Sequence, residues 1–146
     1  MQKCKYHREL IASYTTRQNG VAEQKNQVVV KIARCMLKEK AISKIFRGEA
    51  VATVVHLLNH FPTKAVQGKT PNEVWYGRKP NVSYLKIFDC VAYAHDPTEK
   101  GSKLDDKSIK CIFVGYSNGT KGFKLYDLIT KKLIIDRDVI FDENRT

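Results

Sequence analysis

At residue 85 the chain changes its period. Before that point apolar residues recur at helical spacing. After it they come in short runs rich in β-branched and aromatic side chains: LKIFDCVAYAH, KCIFVGY, FKLYD and KLIIDRDVIF. A 3.6-residue period does not settle as a strand, nor a 2-residue period as a helix. The change therefore restricts the chain to an α+β class with helices first and sheet second. Between the second and third runs stands SNGTKG, a strong turn signal. The runs predict four or so antiparallel strands, enough for a small barrel or curled sheet.

In the first half, residues 19–41 are read as a helix. At about 100° per residue, Val21, Val28, Val29, Ile32 and Met36 fall on one side, and Asn19, Glu23, Asn26, Gln27 and Arg34 on the other. The pattern is amphipathic with two flaws. The β-branched run Val28-Val29-Val30 weakens helix propensity, and Lys25 falls within the apolar side. Residues 44–60 read as a second helix, apolar over a wide arc through Ala50, Val51, Val54, Val55, Leu57 and Leu58, and so expected to be well buried. Thr70-Pro71-Asn72-Glu73 is a compact helix start: Thr70 can cap, Pro71 suits the first turn, and Glu73 completes a capping box. That short helix should end at Gly77, with Trp75 anchoring it to the core or, alternatively, stacking on bases together with Tyr76. Residues 78–84 form a connector, and residues 1–15 an extended lead-in with at most one strand.

Within this sequence no apolar run approaches the roughly 20 residues that span a bilayer, and MQKCKYHREL lacks the apolar core of a secretory signal. An intracellular location with no membrane partner is expected. Cys4, Cys35, Cys90 and Cys111 are scattered, with no C-x-x-C pair, and read as free thiols. The formal charge is +11 and unevenly spread. Residues 1–80 carry 15 Lys/Arg against 5 Glu, whereas residues 81–146 carry 11 against 10 Asp/Glu. A polyanion partner for the first half and a solvated lysine-rich surface explain that excess equally well.

The segment YTTRQNGVAEQKN closely resembles the region around the last catalytic residue of copia-type retrotransposon integrases. The resemblance continues in order through ARCMLKEK, LLN, PTKA, GKTP, KPNVSYLKIF, KLDDKS, CIFVGYS, KGFKLYD and RDVIFDE, over nearly the whole chain. It implies two domains. Residues 1–80 would be the helical C-terminal remnant of a ribonuclease-H-like integrase core. Residues 86–146 would be a small antiparallel β barrel like the SH3-like domain of retroviral polymerases. The parent role would be DNA integration, in which two aspartates and one glutamate hold two Mg or Mn ions for attack on a phosphodiester. By motif position Glu23 is that glutamate, a catalytic and metal-binding relic. No Asp stands before Asp89, so both aspartates are expected to be absent and the chain is expected to hold no cofactor and to be no enzyme by itself.

The sequence departs from the family at Thr16, where Pro is usual, at Gln24 and Gln27, where Arg is usual, at Arg47 for Trp and at Asp89 for Gly. These changes fit a decaying or a repurposed copy. Asn19, Asn26, Gln27, Lys31 and Arg34 form a polar-basic strip around Glu23, read either as weak, nonspecific DNA backbone contact or as a solvated helix face. His56 and His60 are spaced to share a metal but lack a third ligand at fitting spacing, so a helix-face pair is the better reading. Asp105-Asp106 and Asp136-x-Asp138 read as surface carboxylates, the latter pair on one face of a strand. Three functions compete: a nucleic-acid-binding relic, an inert remnant or protein-interaction module, and a piece of an active integrase. A homo-oligomer or other Pol segments are the protein partners the resemblance implies. A nuclear site follows from the resemblance alone.

Overall fold

The computed structural model describes residues 16–39, 44–95 and 108–145. The expected lead-in over residues 1–15 and the Asp105-Asp106 pair lie outside them. Helix α1 spans Thr16–Glu39 and α2 spans Arg47–His60, entered through a 3-10 turn at Lys44–Phe46. After a second 3-10 turn at Lys64–Val66 comes α3, Pro71–Tyr76. Its ends are those the sequence specifies. Thr70 Oγ1 accepts the Glu73 N–H at 3.0 Å, and Gly77 closes the helix in the left-handed region at φ 71°.

Strands β1 (Val91–His95), β2 (Ser108–Tyr116), β3 (Phe123–Asp127), β4 (Leu133–Asp136) and β5 (Ile140–Asp142) follow. They pair antiparallel in the order β4-β3-β2-β1-β5. There are five rather than four because KLIIDRDVIF breaks at Asp136. Its Oδ1 accepts the backbone N–H of Arg137 at 2.6 Å and of Asp138 at 3.2 Å, which turns the chain. Asp136 and Asp138 therefore do not share a strand face, contrary to the sequence reading. Asp136 Oδ2 also accepts the His95 N–H at 3.3 Å, tying the end of β4 to the end of β1.

The sheet is curled and buries side chains on both faces. Inside lie Cys90, Ala92, Ala94, Cys111, Phe113 and Leu125, all 0% exposed. The curl brings Phe123 of β3 and Phe141 of β5 to 4.8 Å between ring centroids. Outside, Ile112, Val114 and Tyr126 meet the helices around Ala33, Phe46, Ala50 and Val54. Phe46 sits edge-on to Tyr126 at 4.7 Å. The first-half helices thus have a partner in this sheet.

A bulge sets the geometry of that contact. Phe113 pairs with Leu125 but Gly115 pairs with Lys124, so β2 carries one extra residue at Val114. The alternation of side chains shifts by one. Phe113 and Tyr116 both join the inner cluster while Val114 packs against α2. Gly115 has φ 153°, and a Cβ there would lie 3.0 Å from Thr53 Oγ1 and 3.4 Å from Glu49 Oε2. Thr53 Oγ1 donates to the Val114 carbonyl at 3.5 Å, and Lys124 Nζ pairs with Glu49 at 3.0 Å across the same junction.

Helix α1 buries a face rotated from the expected one. Ala33 is buried, flanked by partly buried Val29, Met36 and Leu37. Small Ala33 and Ala50 allow close approach of α1 to α2, so the contact centres there rather than on Ile32. Val21 and Val28 stay 66% and 47% exposed. On α2, Ala50, Thr53 and Val54 are buried, but Val55 points outward at 43% exposure. Trp75 is 57% exposed, so more than half of the expected anchor lies at the surface. Only the first turn of α3 is covered, through Pro71, Asn72 and Glu73.

Replacing Gly115 with Ala forces a side chain into an occupied space and a strained φ, with an expected cost of about 1–3 kcal/mol. Gly119→Ala, where nothing lies within 4 Å, should stay within ~0.5 kcal/mol of the parent. Urea unfolding of both variants checks this, and equal midpoints would contradict the described junction.

Candidate functional site

Two surfaces carry polar chemistry. The first is the face of α1 around Glu23. Asn26, Gln27, Val30, Lys31 and Arg34 line one open groove along the helix. Their spacing of three and four residues stacks them on one face. Glu23, Asn26, Gln27, Lys31 and Arg34 are all exposed. Asn19 lies on the same helix, with its side chain outside those described. Val30, 37% exposed, sits in the middle of the groove and was not anticipated there. Among the described residues no three His, Cys, Asp or Glu side chains cluster as metal ligands. Glu23 brings one carboxylate, and Mg²⁺ wants near-octahedral oxygen ligation. The described residues do not fit a two-metal centre.

The second surface lies on the other flank of α2, where His56 and His60 emerge one turn apart. His60 Nδ1 is 2.7 Å from the His56 carbonyl oxygen. A carbonyl only accepts, so His60 carries its proton on Nδ1 and the neutral ring offers Nε2 as an acceptor. Tyr84 Oη lies 2.9 Å from His60 Nε2 and also 2.9 Å from His56 Nε2. The phenol has one hydrogen. It goes to His60, and the phenol oxygen accepts from His56 Nε2–H. Asn72 Nδ2 also points at His60 Nε2, 3.0 Å away, and shares that atom's single lone pair with the phenol. The i, i+4 pair thus finds its third partner in a tyrosine and its fourth in the α3 cap region. The two rings lie together on one face of α2, as the helix-face reading has it, and both are half-buried and hydrogen-bonded.

Rings extend the cluster. His56 is stacked between His60 and Tyr116, with 4.3 Å between centroids on each side. Tyr116 reaches this position because the bulge turns it inward, and its hydroxyl accepts the Lys86 N–H at 2.9 Å. Burial raises the pKa of both Tyr84 and Tyr116, so the phenols are held neutral. Above the rings opens a cavity of about 750 Å³ whose wall includes Tyr76, Arg78, Lys79 and Lys121. Sequence reasoning paired His56 with His60 but missed Asn72, Tyr84 and Tyr116, which lie 12 to 60 positions away. Cys90 and Cys111 are unbridged and buried, with pKa pushed up to about 11 chiefly by desolvation, and Cys35 is exposed and free.

With this geometry in view, residues 90–146 match the retroviral polymerase SH3-like domain family. Over 130 residues the chain is 44% identical to the retrovirus-related Pol polyprotein from transposon TNT 1-94 of Nicotiana tabacum, covering 89% of this chain and 10% of that protein. It is 35% identical over 131 residues to the corresponding polyprotein from transposon RE1 of Arabidopsis thaliana, covering 90% and 9%. An uncharacterized mitochondrial protein of Arabidopsis thaliana is 34% identical over 99 residues, 60% of this chain and 82% of that protein. The chain spans about a tenth of the length of the curated Pol polyproteins it matches. No solved structure matches. No helix among the described residues is long and apolar enough to cross a membrane.

His56 gives the second surface a pH signature. Burial, and then repulsion from His60 once that neighbouring ring is protonated as well, lower its pKa from 6.5 to about 4. An imidazole that resists protonation only when folded makes the unfolded chain bind more protons between those two values. The contribution is complete above pH 6.5 and is lost as the pH falls from there toward 4. Urea midpoints at about pH 7, 6 and 4.5 should therefore decline, and the decline should be shallower in His56→Gln. Identical pH slopes in the two proteins would remove this role from His56.

Proposed function

Because the chain belongs to the retrovirus-related Pol polyproteins of transposons and carries their SH3-like domain, we propose that it is a piece of the integrase region that contacts the DNA backbone without reading sequence. In this reading the helices are the C-terminal part of a ribonuclease-H-like core of copia type. Glu23 marks the place of the third metal-binding carboxylate, with Mg or Mn belonging to the parent enzyme. The parent role is insertion of element DNA into a chromosome, a nuclear task. Alone, this chain is proposed to be no catalyst.

The observation that carries the reading is the α1 groove. It places Lys31 and Arg34 beside the amides of Asn26 and Gln27 on an exposed face. Cations and amides at helical spacing suit phosphate oxygens and carry no base code. The +10 balance of residues 1–80 supports the same partner. A second reading is favoured by Val21 and Val28, which remain exposed on α1. They would serve a protein-docking role or leave an inert, aggregating remnant.

Binding to a short DNA duplex, followed by fluorescence anisotropy from ~50 to ~200 mM salt, decides between them. The expected result is affinity that falls steeply with salt. Lys31→Ala/Arg34→Ala should reduce the slope of log K against log salt by about 1.8, or about 0.9 per lost phosphate contact. Absence of binding, or an unchanged slope in the variant, would overturn the DNA reading.

A further inference from the structure

We propose that the cavity between α2, α3 and the β2–β3 turn is a binding site for a single unpaired nucleotide, holding its phosphate at Arg78, Lys79 and Lys121 and its base against the tyrosine and histidine rings. This extends the nucleic-acid reading above to a surface that shares no residue with the α1 groove.

The chemistry of the lining selects that ligand class. Among the described residues no Asp or Glu lines the cavity, whereas three cations do, so the site favours an anion. Arg78 and Lys79 come from the connector after α3 and Lys121 from the opposite wall, so the positive charge converges from two elements. A bare phosphate would leave most of the roughly 750 Å³ unfilled, and cavities of this size take ligands of nucleotide size. The interior is aromatic. Its buried polar atoms are already committed: His60 to the His56 carbonyl, Tyr84 to both imidazoles, Asn72 to His60. Ring faces are left open beside Asn81, Ser117 and Thr120, which also line the cavity, and Tyr76 at the wall is 67% exposed. A flat ring with a phosphate attached matches both features, because base–aromatic stacking tolerates any base. The bulge at Val114 and Gly115 is what places Tyr116 here, so the site depends on the same junction that docks α2.

Two sources supply such a ligand, a free nucleotide and an unpaired nucleotide within a single strand. The whole chain, labelled with ¹⁵N, is titrated with thymidine 5′-monophosphate, with inorganic phosphate, and with a 5′-phosphorylated thymidine pentamer. The proposal expects saturable shifts of the Tyr84, Tyr116 and Lys121 amides with the monophosphate, at least ~10-fold tighter than with phosphate. Arg78→Ala/Lys121→Ala should weaken this ~10-fold or more, while the charge-matched Lys110→Ala/Lys132→Ala leaves it within ~2-fold. Tyr76→Ala should weaken the nucleotide and not phosphate. These positions are exposed, and retained spectral dispersion shows that the variants fold. With the nucleotide bound, a ~10-fold gain for the pentamer assigns the site to a strand. Equal affinity assigns it to free nucleotide, and either upholds the pocket. No saturable shift, equal affinity for bare phosphate, or indifference to Arg78 and Lys121 overturns it. Failure of duplex binding at Lys31 and Arg34 would overturn the α1 reading and leave this one standing, and the converse also holds.

Discussion

One extra residue in β2 governs the way this molecule is assembled. Val114 interrupts the pairing with β3, and Gly115, extended into a region of positive φ, leaves space for Thr53 and Glu49 of α2. The helix can then sit close enough for the Thr53 hydroxyl to reach the Val114 carbonyl and for Glu49 to meet Lys124. Both partners of that ion pair are only about a quarter exposed, so the pairing is less screened than a surface pair but also costs desolvation. The closer contribution to stability is apolar: Ala50 and Val54 against Val114 and Ile112 on the outer face of the sheet.

The same junction connects packing to chemistry. Turning Tyr116 inward puts its ring on His56, and α2 then carries His60 to Tyr84 and Asn72. Hydrogen bonds join α2, α3 and the connector into one cluster, and the stack of Tyr116 on His56 ties the sheet to it. The α1 surface is built differently. Its side chains answer to helix periodicity alone, and its groove needs nothing from the sheet. One candidate site is thus a property of tertiary structure and the other a property of local structure.

That difference explains what could be read from the sequence. The change of period at residue 85, the Thr70 cap, the Gly77 stop and the SNGTKG turn are local signals, and each stands where it was expected. So do the exposed polar residues of α1, since 100° per residue suffices to place them. The apolar face of α1 was misplaced because Ala33, too small to register as a core residue, is where the helices approach. The break at Asp136 was hidden by the β-rich residues around it, Ile134, Ile135, Val139 and Ile140. The tyrosines completing the histidine pair carried no sequence signal, because only the bulge brings Tyr116 there and only the path of the connector brings Tyr84. One expected departure did carry information: Asp89, at a position where the resemblance implies Gly, adopts φ 69°. That left-handed position is one Gly takes freely and Asp tolerates better than most residues.

The bulge also makes β2 sensitive to length in a way that it is not sensitive to identity. Side chains on a strand alternate, so each residue has a parity, and one insertion exchanges the two sides downstream. Here the exchange falls between Phe113 and Tyr116 and lets both face inward. Deleting Val114 would restore strict alternation and leave Phe113 and Tyr116 both inside, because Gly115 and Tyr116 keep their partners Lys124 and Phe123. It would remove one of two successive outward residues, and with it the Val114 contact to the helices. The extra residue thus widens one side of the strand only, and its loss would loosen the helices while the inner cluster keeps its order.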